Sequence, residues 1–118
     1  MSNSNDFYCD EVLSGKTPVE VVFETGNVLA YHHTRPFWET HIVVIPKRHI
    51  SSLLTLQGSD NDLLLELFDV IKKVAEQVIV ESEAARVLTN LGDYQDSKHL
   101  HFHVCSGDPL GTQAPSHA

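Results

Sequence analysis

His99-Leu100-His101-Phe102-His103-Val104 alternates imidazole and apolar side chains without a break. Successive side chains on a strand point to opposite faces. The run therefore puts His99, His101 and His103 on one face and Leu100, Phe102 and Val104 on the other. Same-face neighbours on a strand stand about 6.6–6.8 Å apart. A phosphate over the middle ring is thus within reach of a neighbouring one. Imidazole titrates near neutral pH, so it can be a nucleophile, a metal ligand or a charged donor to phosphate. A lone histidine on a strand face reads as ordinary surface, but strict alternation reads as a site. The chemistry stays open at this point. His-x-His on a strand also suits Zn2+ or Cu2+, with Asp93 and Asp96 as nearby acids.

Working outward, residues 98–105 read as the last strand, after a polar loop at 90–97 and a strand at 85–89. Before them lies the strongest helix signal. Leu64, Leu67, Phe68, Ile71, Val74, Ala75 and Val78 share one face, Glu66, Lys73, Glu76 and Gln77 lie opposite, and Ser59 and Asp60 offer capping oxygens. Residues 40–45 form an apolar strand stopped by Pro46, and residues 50–56 a helical turn. Residues 19–24 and 28–32 flank Thr25-Gly26-Asn27 and read as a hairpin. A short helix at 7–14 ends at Gly15 and Pro18. The order αβββαββ predicts an α+β domain, an antiparallel sheet with one helix packed on a face.

The 118 residues suit one domain, 1–118, with a core at about 7–107 and an irregular tail at 108–118. Apolar residues at 42% and charged residues at 20% exclude a disordered chain. The net charge of −8 excludes a protein whose main task is gripping nucleic-acid backbone. Cys9 and Cys105 read as free thiols, the polar start as no secretory signal, and the apolar runs as too short to span a membrane. A cytoplasmic protein with no nucleic-acid or membrane partner is expected. The 8 histidines are the outlier.

The 99–105 run resembles the signature of the histidine triad (HIT) family, His-φ-His-φ-His-φ-φ with φ apolar, Cys105 taking the last place. Thr40-His41-Ile42-Val43-Val44-Ile45-Pro46-Lys47-Arg48-His49-Ile50 is similar to the family's other hallmark, a His, an apolar strand and then Pro-Lys-x-His. Val28-Leu29-Ala30-Tyr31-His32 and Asn90 stand at the family's spacing. The resemblance covers roughly residues 7–107 and looks most like the small purine-nucleoside phosphoramidase branch. It implies a HIT-like meander sheet with one long helix and a short N-terminal helix, paired into a homodimer. It implies a hydrolase acting at the α-phosphate of a purine nucleotide of the AMP or adenosine type, through a nucleotidyl-histidine intermediate. Nucleoside phosphoramidate hydrolysis is the first expectation. Dinucleoside polyphosphate hydrolysis and a nucleotide-binding scaffold dimer with little turnover are the alternatives. By the family's pattern His101 is the nucleophile, His103 contacts phosphoryl oxygens, His99 orients the nucleophile and His41 approaches the leaving group. Asn90 would bond the ribose or phosphate, and His32 and His33 would sit at the sugar. Phe7, Tyr8, Val12, Phe23 and Val43 would line the base pocket. The gathered imidazoles would form a local cationic pocket once a phosphate favours their charged form.

Some positions depart from the pattern. His33 stands where the branch usually has an Asp that grips the ribose hydroxyls. Tyr94-Gln95-Asp96-Ser97-Lys98 replaces the usual Gly-Gln-Ser/Thr-Val-x. Gln95 keeps its place, while Asp96 stands where a hydroxyl would donate to the leaving group, with Ser97 and Lys98 beside it to compensate. Some bacterial members carry a structural zinc on Cys-x-x-Cys, the His after Pro-Lys-x and the first triad His. Here that set reads Asp6, Cys9, His49 and His99. The resemblance thus makes a structural zinc on these residues an expectation, while the reaction itself requires no cofactor. Trp38 would cover an interface or ligand, or anchor its own loop. Leu63, Leu65 and Ile79 lie off the main helix face, where a second copy would cover them.

Overall fold

A computed structural model describes residues 8–95 and 97–110. Asp6, Phe7, Asp96 and His117 lie outside the described residues. Five strands, β1 (Val21–Glu24), β2 (Val28–His32), β3 (Trp38–Pro46), β4 (Arg86–Leu88) and β5 (Phe102–Pro109), form one sheet in the order β1-β2-β3-β5-β4. Every neighbouring pair is antiparallel. The long helix α1 (Asn61–Ser82) packs on one face of this sheet. The α+β expectation is borne out. Among the described residues, no helix is long and apolar enough to cross a membrane.

Side-chain alternation gives the sheet two distinct faces. Val28, Ala30, Ile42, Val44, Leu100, Phe102 and Val104 meet Leu67, Val70, Ile71, Val74 and Val78 of α1 in the main core. Leu29, Tyr31, Val43 and Ile45 face the other way and are covered by Tyr8 and Val12. Those two belong to a single wide turn, Tyr8–Val12, closed where Leu13 N–H donates to Tyr8 O at 2.7 Å. The hairpin turn between β1 and β2 is tied to α1 by Glu66. Its carboxylate accepts from the Thr25 hydroxyl and from Asn27 Nδ2 (3.0 Å).

Several sequence expectations need correction. The last strand begins at Phe102, not residue 98, because Leu100 N–H leaves the ladder to donate to Ile50 O. That strand runs to Pro109, past the expected start of the irregular tail, and Leu110 N–H donates to Phe37 O at 2.8 Å. Gly107 permits this with φ +87°, a conformation L residues rarely adopt, and a Cβ there would lie 2.2 Å from Glu39 Oε1. Asp60 precedes α1 but does not cap it with its side chain. Its carboxylate accepts from Arg48 and from Gln57 N–H instead. Val70 joins the buried helix face, whereas Phe68 is 45% exposed and meets Phe102 edge-on. Trp38 anchors its own domain, with the Arg86 guanidinium 4.4 Å from its ring centroid.

Candidate active site

The site lies on the sheet face turned away from α1, where β3 and β5 run side by side. The register sets Val43 against His103 and His41 against Cys105. His41 and His103 thus become diagonal neighbours on one face. His99, His101 and His103 are all buried, at 0%, 1% and 2% exposure. The alternation read from the sequence holds for the side chains, even though His99 and His101 precede the ladder. Thr89 braces the approach to β5, its hydroxyl donating to His101 O at 2.7 Å.

Hydrogen-bond partners fix the tautomers. Phe37 N–H donates to His41 Nδ1 at 3.0 Å, so the ring proton of neutral His41 sits on Nε2. That Nε2 lies 2.9 Å from His103 Nδ1, which must then accept. His103 therefore carries its proton on Nε2, a buried atom with no hydrogen-bond partner among the described residues. A buried unsatisfied donor costs about 1–3 kcal/mol. It marks a place where an acceptor belongs. His101 Nδ1 donates to His99 O at 2.7 Å, which puts the lone pair of His101 on Nε2. The His101 and His103 rings stand 5.0 Å apart, nearly edge to face at 80°.

Burial pushes His41 down to about 3, with further lowering by His33 and His101. Burial likewise lowers His103 to about 2, helped by His101, His41 and His33. His41 and His103 are therefore both neutral at pH 7 in the free protein. The site presents a lone pair on His101 beside an N–H on His103.

A second group of donors lies beneath the first. His99 Nε2 donates to Pro46 O at 2.7 Å, leaving Nδ1 to face Cys9 Sγ at 3.4 Å. His49 Nδ1 lies 4.0 Å from the same sulfur. The ligand atoms of Cys9, His49 and His99 all fall within 4.8 Å of one another. Sulfur and nitrogen on one tetrahedral zinc stand about 3.5 Å apart, and a ligating His commonly donates its other N–H to a carbonyl. Both features are present, so these residues fit a zinc ion. His33, His41 and His103 also cluster within 4.8 Å. However, His33 Nδ1 and His41 Nδ1 both accept backbone N–H groups, at 2.8 and 3.0 Å. Their protons are thereby held on Nε2, where a metal would need a lone pair. That cluster is a hydrogen-bond array.

The remaining expectations divide. Tyr8, Val12 and Val43 lie on the site face, and the Tyr8 ring stands 4.8 Å from His101. Val43 is fully buried and serves as core. Phe23 does not join them. It pairs with Ala30 and shares that residue's face, packing against the core under α1. His32 is also misplaced by the sequence reading, since alternation turns it from the triad and its Nε2 lies 3.8 Å from Glu20. His33 is brought in, stacked on His41 with centroids 4.4 Å apart. The Gln95 side chain braces carbonyls, donating to Ser51 O (2.7 Å) and Ser97 O (2.9 Å). Lys98 Nζ donates to Gln95 O (2.7 Å) and Gly92 O (3.2 Å), so it secures the loop before buried Ser97. Asn90 is half-buried next to Thr89. His99 holds the His101 ring through its backbone carbonyl, while its own ring turns to Pro46 O and Cys9 Sγ. Sequence reading missed Thr89, the Phe37 amide and Tyr31. The alternation of β2 was the signal for Tyr31, whose hydroxyl is pushed far above its ordinary range by burial and by Tyr8.

Comparison with known proteins gives a consistent result. The family described as "Scavenger mRNA decapping enzyme C-term binding" matches residues 6–114. An uncharacterized HIT-like protein of Chlamydia trachomatis is 32% identical over 106 residues, covering 89% of this chain and 96% of the relative. A HIT family hydrolase from Legionella pneumophila superposes with a TM-score of 0.77 at 30% identity, covering 90% of this chain and 96% of that one. A histidine triad protein from Clostridium difficile does so with a TM-score of 0.76 at 30% identity, over 97% and 100% of the two chains. With the imidazoles of β3 and the 99–103 run assembled on one face, and relatives matching over nearly its whole length, the chain belongs to the histidine triad (HIT) family.

Proposed function

We propose that this chain is a nucleotide hydrolase acting at the α-phosphate through a nucleotidyl-histidine intermediate, with adenosine-type nucleoside phosphoramidates as substrates. One observation carries the reading. The hydrogen-bond path from Phe37 N–H through His41 ends in a buried His103 Nε2–H beside the His101 ring. His101 Nε2 attacks the α-phosphorus, and the phosphorus–nitrogen bond of the substrate breaks. The amine leaves, taking up one proton from solvent, which the later attack by water returns. His103 Nε2–H donates to the phosphoryl oxygen as charge builds there. Water then attacks phosphorus, the bond to His101 breaks, and the nucleoside monophosphate departs. The Legionella neighbour, described as a hydrolase, supports the class of reaction.

The test is release of AMP from adenosine 5′-phosphoramidate by the full chain. His101→Ala should lower turnover by about a thousandfold or more, as loss of a nucleophile does, while AMP binding persists. Wild type with no turnover of any nucleoside phosphoramidate or dinucleoside polyphosphate would sink the enzyme reading. Faster turnover of diadenosine polyphosphates would move the substrate to that class.

Cys9, His49 and His99 would hold a structural zinc, with Asp6 outside the described residues. When bound, the metal would tie the N-terminal turn to the loop after β3 and to the start of the triad. The reaction above runs without it. We also propose a two-fold dimer. Leu65 and Ile79 on α1 are 69% and 48% exposed, and Val87 on the edge strand β4 is 46% exposed, so a second copy would cover apolar surface and pair a free edge. Leu63 packs on the core and has no such need. Cys9 and Cys105 are not joined in a disulfide, which supports a reducing compartment, the cytoplasm. Recovery of the chain in a secreted fraction would contradict that.

A further inference from the structure

His33 lies off the hydrogen-bond path just described, yet it is buried against it at 9% exposure. Its ring lies nearly flat on His41, with centroids 4.4 Å and planes 29° apart. It is also nearly parallel to His103, at 6.0 Å and 27°. Two backbone bonds hold it there without any ligand. Arg35 N–H donates to His33 Nδ1 at 2.8 Å, and His33 N–H donates to His41 O at 2.9 Å. The ring is therefore pinned at the end of β2 and latched to the residue it stacks on. The ring in that place covers one face of His41. Any proton added to His41 would sit among His33 just past β2 and His101 and His103 from the β5 side.

We propose that His33 is a positioning residue, whose stacked ring holds His41 as the neutral Nε2–H donor to His103. His41 can serve His103 only in that form. As the cation it would carry a proton on Nδ1, facing the Phe37 N–H that now donates to that atom at 3.0 Å. The bond would break and the ring would lose its aim. The depression of His41 to about 3 comes first from burial, to which the stacked ring contributes, and then from charge repulsion by His33 and His101. The consequence for turnover rests on the hydrolase reading above, but the consequence for His41 does not.

The experiment reads both. Imidazole nitrogen shifts in the full chain are followed by long-range 1H–15N NMR from pH 4 to 8, alongside the pH profile of kcat/KM for adenosine 5′-phosphoramidate. Wild type should show His41 as the Nε2–H tautomer with no titration in that range. His33→Ala removes the stack, and the His41 midpoint should rise by about two pH units or more, toward its ordinary value near 6.5. His33→Phe restores a flat ring that covers His41 but carries no charge, so the midpoint should fall back at least one pH unit from its His33→Ala value without reaching that of wild type. The acid limb of kcat/KM should follow the His41 midpoint in each variant. His33→Gln serves as the second stack-breaking variant if His33→Ala does not fold. A His41 midpoint unchanged by loss of the stack, or not lowered again by His33→Phe, overturns the proposal. The expected shifts in a chain that turns over no nucleotide would support the role of His33 while overturning the hydrolase reading.

Discussion

At the scale of single residues, His99 does two jobs with two different parts. Its backbone carbonyl accepts from His101 Nδ1, and its ring turns away to Pro46 O and Cys9 Sγ. A metal at Cys9, His49 and His99 would therefore steady the carbonyl that holds the His101 ring, the proposed nucleophile. Purified chain should carry about one zinc per protomer, and chelation or Cys9→Ser should lower the melting temperature. A loss of about 2 kcal/mol corresponds to roughly 8 °C for a domain of this size. Chain purified without metal, and indifferent to chelator, would end the zinc proposal. Activity surviving chelation would agree with chemistry that resides in the imidazoles. The donor types were legible in the sequence. Which nitrogen of each ring is free was not, because Pro46 O and the amides of Phe37 and Arg35 come from other parts of the backbone.

At the scale of elements, the alternating 99–104 run joins the two faces of the sheet. Leu100, Phe102 and Val104 pack under α1 while the histidines turn outward to the site. Helix packing therefore supports site geometry directly. Leu67, 1% exposed, lies in that core. Leu67→Ala should destabilise the fold by about 2–5 kcal/mol, as buried leucine truncations do, read by denaturant unfolding. A change under about 0.5 kcal/mol, the range of surface substitutions, would show that α1 does not bear on the sheet as described. Helix α1 and the β1–β2 hairpin were legible from periodicity and turn chemistry. The face of Phe23 was not. A register shift between Val21 and Phe23 sets Phe23 opposite Ala30, and cross-strand partners share a face. The cap of α1 was misread for a similar reason, since Arg48, distant in sequence, claims the Asp60 carboxylate.

At the scale of the molecule, buried neutral imidazoles make stability depend on pH. His41 and His103 are lowered from 6.5 to about 3 and about 2. Between those values and 6.5 the unfolded chain binds protons that the folded chain refuses. Folding stability should therefore fall as pH drops below about 6.5, by up to about 1.4 kcal/mol per pH unit for each ring. Asp60, lowered by Arg48 and the Gln57 amide, and Glu66, lowered by Asn27 and Thr25, add stability that is present above about pH 4 and lost below it. The melting temperature should drop from pH 7 to pH 5, with a shallower slope in His103→Asn. A flat profile over that interval would contradict the neutral array. The proposed dimer belongs to the same scale. Sedimentation should give twice the chain mass, and Val87→Lys on the edge strand should shift it toward monomer. A wild-type monomer at tens of micromolar would remove the dimer.

The sequence by itself determined the α+β order, the strand-face alternation and the gathering of His41, His99, His101 and His103, because those depend on local periodicity and residue type. The tertiary structure alone decided the protonation pattern. Proton placement on an imidazole follows from its hydrogen-bond partners and its distance from water. The Phe37 amide, the His99 carbonyl and the stacked His33 ring meet the site only after the sheet has closed. That closure left His41 and His103 neutral and aimed the His103 donor beside the lone pair of His101.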